Sequence, residues 1–159
     1  MKLDDIDAKI LNALQQDARI RTVDLAERVG LSATPCQRRI KILEDEGYIR
    51  QYTTLVDPEK VGYSLNVFIF VQLERKTDAH FEAFEAEIRK CKEVMECHLV
   101  TGAHDYLLRL VAHDIGGYEH FITGTLTKIE GVKDVQSFFS IRRPTYKTAL
   151  PVVASPKSE

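Results

Sequence analysis

Three cations stand almost together at Arg38, Arg39 and Lys41, with the amide of Gln37 just ahead of them and the hydroxyls of Ser32 and Thr34 a turn upstream. Guanidinium groups can fork onto a guanine edge or a phosphate, and a glutamine amide matches the donor and acceptor of adenine. Hydroxyls beside the free N–H groups of a helix start suit a phosphate. Residues 32–41 include no acid, whereas Glu44, Asp45 and Glu46 follow at once and would hold the far end of the segment off a polyanion. This is the chemistry of a surface that enters the major groove of a duplex. A solvated helix face is the plain alternative for any basic run, and the neighbouring elements decide between the two.

Those elements favour the groove. Residues 22–41 (TVDLAERVGLSATPCQRRIK) read as two short helices joined by a tight turn. Leu25, Ala26 and Val29 share one face of the first. Gly30 stops it, because glycine adopts the left-handed conformation at little cost. Ser32 can cap the second helix, and Pro35 falls in its first turn, where a missing N–H does no harm. Cys36, Ile40 and Leu43 follow at i, i+4 and i+7 and form the buried stripe, which makes Cys36 a core residue. Gln37, Arg38 and Lys41 share the opposite face, with Arg39 beside it. An earlier helix over residues 4–17 lines up Ile6, Ile10, Leu11 and Leu14, with Asp4 and Asp7 in a capping-box-like arrangement. Together they predict a helix-turn-helix core. After Gly47, residues 48–50 and 52–56 are rich in β-branched and aromatic side chains and predict a short β-wing.

The bulk numbers set limits. The chain has 159 residues, 44% of them apolar, and a net charge of only −2. It can bury real cores, and its charge alone announces no nucleic-acid partner. Each reading unit neutralises few phosphates, so tight binding calls for a dimer. The three cysteines form no framework and suggest reduced thiols in the cytoplasm. The acidic start, Met1-Lys2-Leu3-Asp4-Asp5, is no signal peptide, and the longest apolar run is too short to span a bilayer.

The second half changes rhythm. Apolar strands are expected at residues 65–73, 94–101, 106–112 and 134–142. Helices are expected at residues 79–90, with Phe81, Phe84 and Ile88 inward, and 115–127, with Ile115, Tyr118, Ile122 and Leu126 inward. The fold class is therefore α+β: an N-terminal winged helix-turn-helix plus a C-terminal ferredoxin-like βαββαβ sandwich, a four-stranded antiparallel sheet with both helices on one side. The expected division is residues 3–64 for the first domain with its linker, 65–151 for the second, and a flexible tail over 152–159. Phe68, Phe70, Phe138 and Phe139 cannot all lie under the helices, because strand neighbours point to opposite faces. The aromatic surface left over predicts a homodimer packed sheet to sheet.

Two stretches, LSATPCQRRIKILEDEGYI (residues 31–49) and ECHLVTGAHDYLL (residues 96–108), resemble the Lrp/AsnC family of transcription regulators, in order and over about residues 3–151. The resemblance implies a DNA-binding regulator that forms dimers, commonly assembled to octamers, and takes a small amino acid effector in clefts between dimers. The DNA-binding set is then Ser32, Thr34, Gln37, Arg38, Arg39 and Lys41. The family's glycine loop corresponds to Thr101, Gly102, Ala103, His104 and Asp105, and Asp134 joins it by position in the family.

An amino acid is a zwitterion. Its carboxylate would take backbone N–H groups of Gly102, Ala103 and His104, and its ammonium would take Asp105 or Asp134. Leu99, Ala103 and Ile115 would border the apolar part, with leucine or methionine as the expected ligand. Without the resemblance, the better reading of Gly102 and Asp105 is a plain hairpin turn. The histidines at 80, 98, 104, 113 and 120 and the cysteines at 91 and 97 show no metal-ligand spacing, so neither metal nor other cofactor is expected. No catalytic constellation can be placed beyond a formal His104/Asp105 acid–base pair. The rival reading is a stand-alone amino-acid-binding or interaction module that does not bind DNA.

Overall fold

A computed structural model describes residues 2–155. It divides into two compact units. The first contains the residues up to Leu55 together with those from Pro144 onward, and the second runs from Val56 to Arg143.

The first unit is built on three helices: α1 (Asp5–Gln16), α2 (Thr22–Val29) and α3 (Ala33–Asp45). The expected capping box forms at the start of α1. The Asp7 N–H donates to Asp4 Oδ1 at 2.8 Å, and the Asp4 N–H donates to Asp7 Oδ2 at 3.2 Å. Gly30 ends α2 at φ 77°, where the Leu31 N–H turns back to the Ala26 carbonyl at 2.8 Å. Ile10, Leu25, Cys36 and Leu43 meet in the core, each 0–1% exposed. Ser32 takes the N-cap position of α3, yet its side chain makes no cap bond. The expected wing strands do not form: no strand precedes residue 65 among the described residues. Residues 48–56 run as irregular chain, anchored where the Tyr52 hydroxyl donates to Glu44 at 2.8 Å. A β-rich composition needs a partner strand for its hydrogen bonds, and this segment has none in the single chain.

The second unit follows the expected order: β1 (Leu65–Leu73), α4 (Asp78–Ile88), β2 (Val94–Leu99), β3 (Tyr106–Ala112), α5 (Ile115–Gly124) and β4 (Val132–Phe139). The strands form one sheet in the order β2-β3-β1-β4, antiparallel throughout. Val67, Ile69, Val71 and Leu73 of β1 alternate inward with Tyr106, Leu108 and Leu110 of β3, packed with Phe84, Ile88, Phe121 and Leu126. The inward stripe of the last helix differs from the expected one. Ile115 is 59% exposed at the first turn, and Phe121 takes the core place at 4%. Tyr118, Ile122 and Leu126 pack on the core as expected, and Ile115, in the first turn, does not reach it.

The face of the sheet away from the buried stripe carries Phe68, Phe70 and Phe138. Phe68 pairs with Phe138 across β1 and β4, and Phe70 meets Phe138 edge-on at 5.8 Å. Phe139 turns the other way and touches Tyr118 at 4.8 Å. Residues 144–151, expected in the second domain, instead group with the first unit. Of the expected flexible tail, residues 156–159 lie outside the described residues, and residues 152–155 are seated on α1. No helix among the described residues is long and apolar enough to cross a membrane.

Candidate functional site

Helix α3 separates its two faces cleanly. Cys36 and Leu43 are fully buried, while Ser32, Thr34, Gln37, Arg38 and Lys41 are exposed. The first turn of α3 carries no acid, so its N-terminal N–H groups and dipole remain available to an anion. Lys41 leans on Asp45 at 3.1 Å, but its side chain stays 72% exposed, and such a pair yields to a phosphate at little cost.

Arg39 is different, and the sequence reading missed its role. Its Nη1 donates to Asp4 Oδ2 and to Asp7 Oδ1, both at 2.7 Å. Asp7 is 4% exposed, a carboxylate that α1 turns inward. Arg39 therefore ties the third helix to the capped end of the first and does not reach outward as a free reading group. The hydrogen bonds to Asp4 and Asp7 raise the guanidinium pKa. Burial pushes the Asp4 carboxyl up, but the Asp7 N–H and Arg39 outweigh it and hold the value low. The partners lie more than thirty positions apart, so no spacing rule in the sequence links them.

The candidate effector residues gather at one end of the sheet, with one exception. Gly102 sits at φ 121°, with nothing within 4 Å of the position a Cβ would take. Thr101, Gly102 and Ala103 are exposed around it, and the His104 ring lies 5.1 Å from Phe70. Leu99, 58% exposed, pairs with Tyr106 at the start of β3. Asp134 pairs with Gln72 near the end of β1 and lines an open cleft of about 510 Å³ along β4, with Tyr118, Ile122 and Phe139. Ile115 is the exception. It follows Ala112, which pairs with Leu65 at the start of β1. The nine residues of β1 separate the two ends by about 26 Å.

Asp105 does not present a free carboxylate. Its Oδ2 accepts from the Leu73 N–H at 2.9 Å, and its Oδ1 pairs with Lys76 at 2.8 Å. Its own N–H donates to Val71, and its carbonyl accepts from Val100. Burial raises the carboxyl, but Lys76 and the Leu73 N–H outweigh this and hold it below the usual carboxylate value. The residue expected to meet a ligand ammonium instead fixes the shape of the loop. Among the described residues, no group of three or more His, Cys, Asp or Glu side chains is placed to hold a metal.

Comparison with known proteins agrees with this architecture. Residues 3–50 match the winged helix-turn-helix DNA-binding family, and residues 66–150 match the Lrp/AsnC ligand binding domain. The chain is 42% identical to the Bkd operon transcriptional regulator of Pseudomonas aeruginosa over 95% of this chain and 99% of that one. It is 44% identical to the leucine-responsive regulatory protein of Salmonella typhimurium over 86% of this chain and 83% of that one. Among solved structures, a transcriptional regulator of Neisseria meningitidis in complex with L-Met superposes with a TM-score of 0.89 at 44% identity, covering 94% of this chain and 96% of that one. An AsnC family regulator of Agrobacterium tumefaciens does so with 0.89 at 39%, covering 94% and 97%. With a helix-turn-helix in one unit, a ligand-binding fold in the other and relatives that match across nearly the whole chain, this protein belongs to the Lrp/AsnC family of transcription regulators.

Proposed function

We propose that the protein acts in the cytoplasm as a homo-oligomer, whose paired α3 helices read a pseudo-palindromic duplex and whose assembly responds to leucine or methionine. The observation that carries this reading is the outward face of α3, where Thr34, Gln37, Arg38 and Lys41 are exposed above a fully buried Cys36 and Leu43. Arg38 and Gln37 are the base readers, and Ser32, Thr34 and Lys41 hold phosphates. Two units related by a two-fold axis read half-sites spaced by whole turns of DNA.

The open sheet face, with Phe68, Phe70 and Phe138, supports a dimer packed through that face. Larger assemblies, up to octamers, follow from contacts between dimers. The effector carboxylate is met by the N–H groups of the loop at Thr101, Gly102, Ala103 and His104, and its ammonium by loop carbonyls and Asp134. Leu99 borders the side chain. Ile115 takes part only if a second copy brings the far end of its own sheet to the loop. The relative named leucine-responsive and the neighbour solved with L-Met support the ligand class. Binding in a cleft between copies shifts the assembly by differential affinity for its states.

The test begins by selecting a duplex from a random library with the purified protein. Anisotropy titration with Arg38→Ala should then show a loss of about 1–3 kcal/mol, and Lys41→Ala should reduce the salt slope by about one. Unchanged affinity in both variants refutes the DNA reading. Calorimetry against the twenty amino acids should give heat with leucine or methionine, and silence from all refutes the effector reading.

A further inference from the structure

The chain crosses between the two units twice, at 55/56 and again at 143/144. After the second crossing it does not trail away. The side chain of Gln15 clasps Leu150 in both directions: its Nε2 donates to the Leu150 carbonyl at 3.0 Å, and the Leu150 N–H donates to its Oε1 at 2.7 Å. One helical turn back, Asn12 does the same to Val152, at 2.8 and 3.4 Å. The Ser155 N–H then donates to the Leu3 carbonyl at 3.0 Å.

The pattern is that of a strand being read. Two amides spaced i, i+3 on one helix face meet residues i and i+2 of an extended chain, whose backbone groups recur with period two. The side chains alternate over residues 152–154 only: Val152 and Ala154 are half-buried, Val152 against the three-helix core, and Val153 is 78% exposed, while Leu150 is held by its backbone with its side chain 71% exposed. Backbone bonds give such an arrangement its affinity, and the packing of Val152 on the three-helix core gives it register. Leu3 immediately precedes Asp4, which caps α1 and holds Arg39 of α3.

We propose that α1 carries a peptide-binding groove whose occupant is this chain's own segment 150–155, and that this strap, by closing on Asn12, Gln15 and Leu3, steadies the Asp4–Asp7–Arg39 tie that sets the reading helix.

The test uses the full chain and the double variant Asn12→Ala/Gln15→Ala. Alanine favours a helix, so α1 itself survives the change. In the wild-type protein the amides of Leu150, Val152 and Ser155 should exchange slowly with deuterium. In the variant, exchange at Leu150 and Val152 should quicken by about tenfold, and tryptic cleavage after Lys147 should quicken with it. Val152→Asp should do the same by removing that packing, which separates loss of the strap from any private effect of the amides. Wild-type exchange at the free-chain rate overturns the proposal, as does an unchanged rate in both variants. Protection that falls on dilution would give the groove to a second copy and overturn the intrachain assignment. The steadying role rests on the DNA-binding reading: affinity for the selected duplex should fall severalfold in both variants with the effector heat unchanged. Equal affinity overturns that role. A wild-type protein that binds no duplex at all overturns the DNA reading and leaves the exchange result standing.

Discussion

Replacing Arg39 separates two explanations of a cation on a reading helix. In Arg39→Ala the Asp7 carboxylate, with its side chain 5% exposed, loses a 2.7 Å partner and keeps the Asp4 N–H at 3.2 Å. Stranding one member of a buried pair costs about 3–5 kcal/mol in general. Here the Arg39 side chain is 30% exposed, so water screens part of the interaction. The arm to Asp4, whose side chain is 50% exposed, adds at most about 1 kcal/mol. The expected loss is therefore about 2–4 kcal/mol, a large share of what a three-helix unit of this size holds. Urea unfolding followed by helical circular dichroism measures it. DNA affinity should fall too, but through loss of the folded unit.

The control is Asp7→Leu/Arg39→Met. It removes both charges and fills the space, and a buried pair replaced this way is often neutral. The lost capping bond returns about 0.5–1 kcal/mol of destabilisation. The double variant should thus be more stable than Arg39→Ala alone and bind the duplex within about threefold of wild type, since 1.4 kcal/mol is already tenfold. Arg38→Ala should show the opposite pattern, with stability unchanged and affinity reduced. If Arg39→Ala unfolds like the wild type, the tie is wrong. If the double variant recovers stability yet binds as poorly as Arg38→Ala, Arg39 contacts DNA after all.

Three further outcomes are expected. Phe70→Glu sets like charges across a two-fold sheet-to-sheet contact and should yield monomers in sedimentation with the fold intact; an unchanged mass refutes the interface. Asp105 has a folded pKa below its ordinary 3.8, so its contribution is full above that value and disappears as pH falls through the lowered one. Asp105→Asn should therefore cost about 1–3 kcal/mol at neutral pH and flatten the acid limb of the stability curve, and a limb of unaltered steepness counts against the role assigned to Lys76 and Leu73. Gly30→Ala should cost about 1–2 kcal/mol in thermal unfolding, entirely conformational, because nothing lies within 4 Å of the new Cβ while φ is 77°.

Local rules carried much of the reading. The Asp4/Asp7 capping box, the left-handed Gly30 and the Cys36–Leu43 stripe are all short-range features, and each is visible in a window of a few residues. Apolar runs placed β1 and β3, and the alternation of faces along a strand left aromatic surface unclaimed, because two helices cover only one face of a sheet. Helical spacing set Tyr118, Ile122 and Leu126 against the core, but it also pointed to Ile115, which is 59% exposed at the first turn, and it passed over Phe121, which is 4% exposed.

The order of elements and the chemistry on offer are legible along the chain: cations on α3, a glycine loop before β3, and an unpartnered sheet face. Which of those groups remain available is settled by folding. Charge and motif position are local properties and make Arg39 and Asp105 look ligand-facing, but their partners Asp4, Asp7, Lys76 and Leu73 come from other parts of the chain. The return of residues 150–155 to Asn12 and Gln15 was equally hidden, since it joins positions about 140 apart. A hydrogen bond between a side-chain amide and a backbone so distant leaves no periodicity in the chain, and only folding brings its two ends together.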